Sequence, residues 1–168
     1  MMTNIPDDLI IDPTFYYVAQ GKIKDGVSVL KGELLKLDST TMEFDVAADT
    51  DAPDGVALAD GDGMVACGMA GAYNVNGVFY YKEDSFSGDG TTTTFTLTKP
   101  AHDIISVSVG GIATDDYTFD ADNGTVTFSA APASGTNNVV VVYKEALTPA
   151  EIYAARAKMF FFDDVEIM

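Results

Sequence analysis

The sequence predicts a mainly β protein: a small β-barrel or β-sandwich with one short C-terminal helix, and an antiparallel Ig-like β-sandwich inserted ahead of that helix. Three observations predict it. Short apolar segments alternate with a period of two, as half-buried strands do. Glycine-bearing turns separate them at hairpin spacing. One capping box stands near the C-terminal end.

Taken in order, residues 1–13 hold Pro6, Pro13, several acids and little periodicity, and read as an extended arm reaching to about residue 14. Residues 15–18 are aromatic and β-branched and suit a first strand. Across 27–38 apolar positions recur between Gly26 and Gly32, which predicts two short strands and a tight turn. In 42–47, Met42, Phe44 and Val46 alternate with Glu43 and Asp45, the mark of a half-buried strand. Acidic turns at 49–55 and 60–63 flank a short strand at 56–58. Strands follow at 64–73 and 78–82, with Asn76-Gly77 between them as a hairpin turn.

The texture changes at about residue 83. Residues 84–94 are rich in Ser, Gly and Thr and read as a loop. Then Phe95-Thr96-Leu97, residues 105–109, Tyr117-Thr118-Phe119 and Val126-Thr127-Phe128 alternate cleanly, with Gly110-Gly111 and Asn123-Gly124 as two-residue turns. Residues 139–142 are a β-branched run, as in a central strand. Five or more short strands in this span predict a small sandwich. Thr148-Pro149-Ala150-Glu151 caps a helix running to about residue 158, with Ile152, Ala155 and Met159 inward; 160–163 form a closing strand. The organisation is a discontinuous domain, 1–82 and 147–168, carrying a second unit at 83–146. The similar texts Tyr80-Tyr81-Lys82-Glu83 and Val142-Tyr143-Lys144-Glu145 are expected to pair where the insert begins and ends.

Charge narrows the partners. With 26 acidic and 9 basic residues the net charge is −17, which opposes nucleic acid and favours solubility. No stretch reaches the ~18 apolar residues of a membrane span, and residues 1–8 lack the pattern of a secretory signal, so no membrane partner is expected. The lone cysteine, Cys67, lies in an apolar run and reads as a buried core thiol in a reducing compartment.

The chemistry-bearing residues argue against an enzyme. The single histidine, His102, reads as a solvated loop residue, far in sequence from Cys67. One Cys and one His do not make a zinc site. Asp49, Asp51, Asp54 and Asp60 look like the start of a calcium loop, but Pro53 stands at its fifth position and Asp54 where the turn glycine belongs. Asp115-Asp116 and Asp120-Ala121-Asp122 read as turn residues. Paired carboxylates for glycoside hydrolysis lack a tryptophan to stack a sugar, and no acid stands in an apolar context. No nucleotide-binding fingerprint is present. No catalytic residue, cofactor or metal is expected.

Two portions of the chain resemble phage families. The stretch 26–70, with Val29-Leu30-Lys31-Gly32-Glu33-Leu34-Leu35 and Gly55-Val56-Ala57-Leu58, resembles the small β domain of phage head (capsid) decoration proteins. So does the ending Leu147-Thr148-Pro149-Ala150-Glu151-Ile152 with Ala154-Ala155-Arg156-Ala157. The insert is similar to a β module of phage fibres, through Phe86-Ser87-Gly88-Asp89-Gly90, Phe95-Thr96-Leu97, Val107-Ser108-Val109-Gly110-Gly111, Asp116-Tyr117-Thr118, Val126-Thr127-Phe128 and Ala131-Pro132.

The resemblance implies a virion structural protein, made in the host bacterial cytoplasm and seated as a homotrimer on the outer capsid surface. It would clamp neighbouring copies of the major capsid protein. It assigns the N-terminal arm to pairing with a capsid strand; the residues of that character are Thr3, Ile5, Leu9, Ile10, Ile11 and Phe15. The insert would project outward, toward a host cell surface or glycan. The alternative is a tail-fibre or receptor-binding adhesin component, in which the insert is the working part.

Overall fold

The computed structural model describes residues 10–74, 77–156 and 160–162. It is mainly β, with thirteen strands and one helix among the described residues. The chain divides into two compact units, Met1–Tyr80 with Leu147–Met168, and Tyr81–Ala146.

The first unit is built on one sheet. Its strands are β1 (Ile10–Lys22), β2 (Leu34–Leu37), β3 (Phe44–Val46), β4 (Gly55–Ala57) and β5 (Met64–Asn74), in the order β1-β5-β4-β2-β3. The sheet curls until its ends meet. Ile23, just past β1, bridges Phe44 of β3, and the Lys24 amide donates to the Phe44 carbonyl at 2.9 Å. Lys22–Glu43 and Lys24–Asp45 ion pairs run along this seam. A small barrel results, filled by Ile23, Val29, Leu35, Phe44, Ala57, Val65 and Cys67.

Closure depends on Gly21. A Cβ there would lie 2.7 Å from both the Cys67 sulfur and the Phe44 ring, so the strand carries no side chain where it crosses the core. Gly32, at φ +92°, turns the chain into β2; the space a Cβ would need is taken by the Gly77 carbonyl at 2.2 Å.

The strand begins earlier than the sequence predicts. Ile10 and Asp12 already pair with Tyr73 and Ala72 of β5, so the last part of the expected arm belongs to the sheet. The register slips between Asp12 and Tyr17, where five steps on β1 oppose two on β5; Pro13, which has no amide to donate, lies in this bulge. In the predicted 27–38 pair, Val29 makes only an isolated bridge to Gly61, leaving β2 as the one strand. Asn76 of the expected hairpin turn lies outside the described residues.

The C-terminal part of this unit starts as predicted. Helix α1 (Pro149–Arg156) opens on a reciprocal capping box: the Glu151 carboxylate accepts from Thr148 N–H at 2.6 Å, and Thr148 Oγ accepts from Glu151 N–H at 3.4 Å. Leu147 before the cap is buried and Ile152 half-buried, whereas Met159 lies outside the described residues. β13 (Phe160–Phe162) then pairs in parallel with Ala72–Asn74 of β5.

The second unit is a seven-stranded antiparallel sandwich. One sheet runs β6 (Tyr80–Gly88), β12 (Gly135–Glu145), β8 (Ala101–Val109), β9 (Ile112–Ala113); the other runs β10 (Tyr117–Asp120), β11 (Thr125–Phe128), β7 (Thr94–Thr96). Phe95, Val107, Val126, Phe128, Val139, Val141 and Tyr143 fill the space between them. Phe95 sits edge-on to Phe128 at 5.8 Å and tilted on Phe86 at 5.4 Å, favourable aromatic geometries.

The first and last strands of this unit are neighbours, as the similarity of their texts predicts. Asp84 meets Tyr143 at one end of the pair and Gly88 meets Asn138 at the other, so they run in opposite directions.

Three local expectations are corrected. Residues 84–88 are strand, not loop, because Ser87 and Gly88 hydrogen-bond to Asn137 and Asn138 of β12. β8 starts at Ala101, opposite Glu145, which places His102 in a strand. The turn at Asn123-Gly124 has four residues, 121–124, between the paired Asp120 and Thr125. There the Asp120 carboxylate accepts from Asn123 N–H at 3.1 Å and holds the longer turn closed.

Candidate functional site

Half of the residues singled out for docking fall in a strand at one edge of the first unit. Ile10, Ile11 and Phe15 lie in β1; Thr3, Ile5 and Leu9 lie outside the described residues. β1 is thirteen residues long and stands at the end of the strand order. One side of its backbone pairs with β5. Along the other side, among the described residues, only the bridge just past its end at Ile23 meets a further strand. Such an edge presents a row of amides and carbonyls to any extended chain laid beside it.

The other candidates are built into the structure. Cys67 is fully buried in β5, and burial pushes its thiol above the usual range. In the acidic loop, each carboxylate with a described bond accepts from a backbone amide, one within its own turn and two from distant segments. Asp51 accepts from Ala48 N–H at 3.1 Å, Asp54 from Leu37 N–H at 3.1 Å, and Asp60 from Lys31 N–H at 2.7 Å. Asp54 also pairs with Lys36 at 3.4 Å. Asp116 accepts from the Ser129 hydroxyl at 2.6 Å. His102 is half-buried, and burial with the nearby Lys144 holds its imidazole below its ordinary pKa, which corrects the expectation of a solvated residue.

Three buried acids overturn the expectation that no acid stands in an apolar context. Glu33 is 1% exposed, Asp84 7% and Glu145 0%. Glu33 accepts from Leu30 N–H at 2.8 Å across its own turn, and burial raises its pKa. Asp84 is held by Thr98 N–H and Thr98 Oγ, both at 2.7 Å, and by the Tyr143 hydroxyl at 3.1 Å. Burial, with Asp84 and Glu145 adding to it against the Thr98 bond, pushes Tyr143 up to about 12. The Lys99 amine stands 3.1 Å from Glu145. Asp84 shares a strand face with Tyr80 and Phe86, and Glu145 with Val141 and Tyr143; that period-two phase was the signal that they point inward.

These acids are fasteners. Asp84 ties β6 to the 98–100 turn and to β12, at the end of the sandwich where the chain enters and leaves. A carboxylate with three donors is fixed in place, and the pair formed by Lys99 and Glu145 adds a second tie between the same turn and β12. Among the described residues no helix is long and apolar enough to cross a membrane, and no group of three or more His, Cys, Asp or Glu is placed to hold a metal. No family model matches the chain, and no curated protein or solved structure matches it either.

Proposed function

We propose that this chain is a phage virion structural protein that binds the outer surface of the assembled capsid as a trimer and stabilises it. The observation that carries the proposal is the long edge strand β1. It lies in the segment whose resemblance implies pairing with a capsid strand, and its outer side is open along the described residues. Adding a strand to such an edge uses main-chain hydrogen bonds for affinity and needs no dedicated pocket. The partner is the major capsid protein.

The mechanism is mass action. A protein that binds only the assembled shell stabilises it by RT ln(1 + [L]/Kd), about 3 kcal/mol per site at a hundredfold excess over Kd. Three linked contacts in a trimer raise the avidity further. The insert is accessory, since a unit with its own core and joined ends can be carried without altering the sheet that docks.

The test is to mix the purified protein with expanded, undecorated capsids, measure their heat resistance and image the three-fold positions. Added density there with raised heat resistance is expected, and replacing Tyr81–Ala146 by a short Gly-Ser linker should leave both intact. Failure to bind, or trimer-independent binding elsewhere, sinks the proposal. A second reading, a tail-fibre or receptor-binding adhesin component, is favoured by the self-contained insert; such a protein would bind cells and ignore the capsid.

A further inference from the structure

The β8–β12 ladder carries a defect at one end. Glu145 pairs with Ala101 and Lys144 with Asp103, so one step on β12 answers two on β8, and His102 is the extra residue. A bulge of this kind leaves its residue without a ladder partner. It sits at the end of the sandwich where the chain enters and leaves. There the Pro100 carbonyl accepts from Ala146 N–H at 2.9 Å, and Lys99 reaches Glu145.

His102 is the only histidine of the chain. Its Nε2 is shut off from solvent and meets no hydrogen-bond partner among the described residues. A neutral imidazole tolerates such a place, because one of its nitrogens carries no proton and has nothing to donate. An imidazolium does not. Both nitrogens are then donors, and a charge removed from water needs a partner.

The charges around the ring do not supply one. β12 is the strand paired with this end of β8, and the charge it sets beside His102 is Lys144, another cation. Asp103, the next residue of β8, pairs with Lys144 at 3.5 Å and keeps 64% of its side chain exposed. Tyr143 and Glu145 of β12 are fully buried, and Glu145 is met by Lys99 from the turn before β8. Burial, with Lys144 adding to it, accordingly holds the imidazole below its ordinary pKa.

The sign of the linkage follows. Once freed from its site, the ring takes up a proton near the model value of 6.5, whereas the closed site resists it until lower pH. Stability from this site is full above that value and drains as pH falls through it, until the native ring is charged as well. Because a bulge holds His102 outside the ladder, charging it requires only that the first residues of β8 part from the end of β12. The rest of the sandwich stays closed, as in local opening of a strand end.

We propose that His102 makes the entry-and-exit end of the insert an acid-released latch, closed at neutral pH and opened locally between residues 99–104 and 143–146 in mildly acidic surroundings. The inference does not depend on the capsid reading, because it concerns the insert alone.

The test uses the full-length protein. A lone imidazole gives one set of ring signals, so an NMR titration reads the site directly, and its midpoint should fall below 6.5. Hydrogen exchange, corrected for its intrinsic pH dependence, then compares the two ends of the ladder. Protection at 99–104 and 143–146 should drop about threefold or more between about pH 7.5 and about pH 5, with 108–112 and 136–139 changing less. His102→Gln does not titrate and should abolish that difference between the ends. Lys144→Met removes the neighbouring cation and should raise the midpoint. A midpoint at or above 6.5, an equal change at both ends, or a difference that persists in His102→Gln each overturns the proposal. Should His102→Gln fail to fold, Lys144→Met decides, and an unmoved midpoint overturns it. Capsid binding at neutral pH is expected to be unchanged in both variants, so failure of that reading is told apart from failure of this one.

Discussion

The two units solve the same problem, burying a sheet face, in different ways. The barrel is discontinuous in sequence and closes on itself through a parallel bridge at Ile23 and Phe44, around a core cluster built mostly of aliphatic side chains with a bare crossing point at Gly21. The insert is continuous in sequence and stacks Phe86, Phe95, Phe128 and Tyr143 between two sheets. The barrel is therefore sensitive to overfilling and the insert to emptying.

The largest expected effect sharpens that contrast. Phe95→Ala removes the ring that touches both Phe86 and Phe128, and should cost the insert about 3–5 kcal/mol. Calorimetry should show the insert transition collapsing while the barrel transition stays; a common shift of both would break the picture of two units.

Next is Asp84→Ala, which strands the Thr98 amide, the Thr98 hydroxyl and the Tyr143 hydroxyl in a buried place. A loss of about 2–3 kcal/mol is expected in denaturant unfolding of the insert, with Asp84→Asn recovering part of it. Gly21→Ala tests the opposite weakness. Its new methyl meets Cys67 and Phe44, and should destabilise the barrel alone by about 1–3 kcal/mol.

Smaller still is Thr148→Ala, which opens the capping box and should cost about 1 kcal/mol, read as faster amide exchange in α1.

The last prediction is a slope. Burial raises the Glu33 pKa, so the native state holds a proton that the unfolded chain has already released. This contribution is full below the model-peptide value of 4.5 and is lost as pH climbs through the raised native value. Glu33→Gln should flatten that fall in barrel stability, measured by urea midpoints across the acid range.

The insert was the more legible unit because its alternation is nearly unbroken. Phe95, Val107, Val126 and Phe128 sit on the apolar phase of segments whose alternation shows in the sequence, the run at 139–142 reads as a central strand, and Gly110-Gly111 turns with φ of +60° and +81° as a two-residue hairpin requires. What escaped was where strands end. Residues 84–88 have loop composition, and only β12 beside them, with Asn137 and Asn138 to receive them, makes them strand. The buried acids escaped for a related reason: composition marked them as polar, while their phase against Tyr80 and Tyr143 pointed inward. In the barrel, the Thr148–Glu151 cap was plain from adjacent residues. The closure at Ile23 and Phe44 was not, because it joins segments twenty-one residues apart with no turn signal between them that names the partner. The edge strand was half legible: its extended character shows in the sequence, but its pairing from Ile10 onward depends on β5, sixty residues away.

The neighbouring placement of β6 and β12 has a consequence for how such a chain can change over generations. Because the inserted unit begins and ends on neighbouring strands, its two ends lie close together, and a replacement module needs equally close termini to join Tyr80 to Leu147. Recombination at those two points can exchange the whole module in a single event, leaving the remaining sheet to keep its original register.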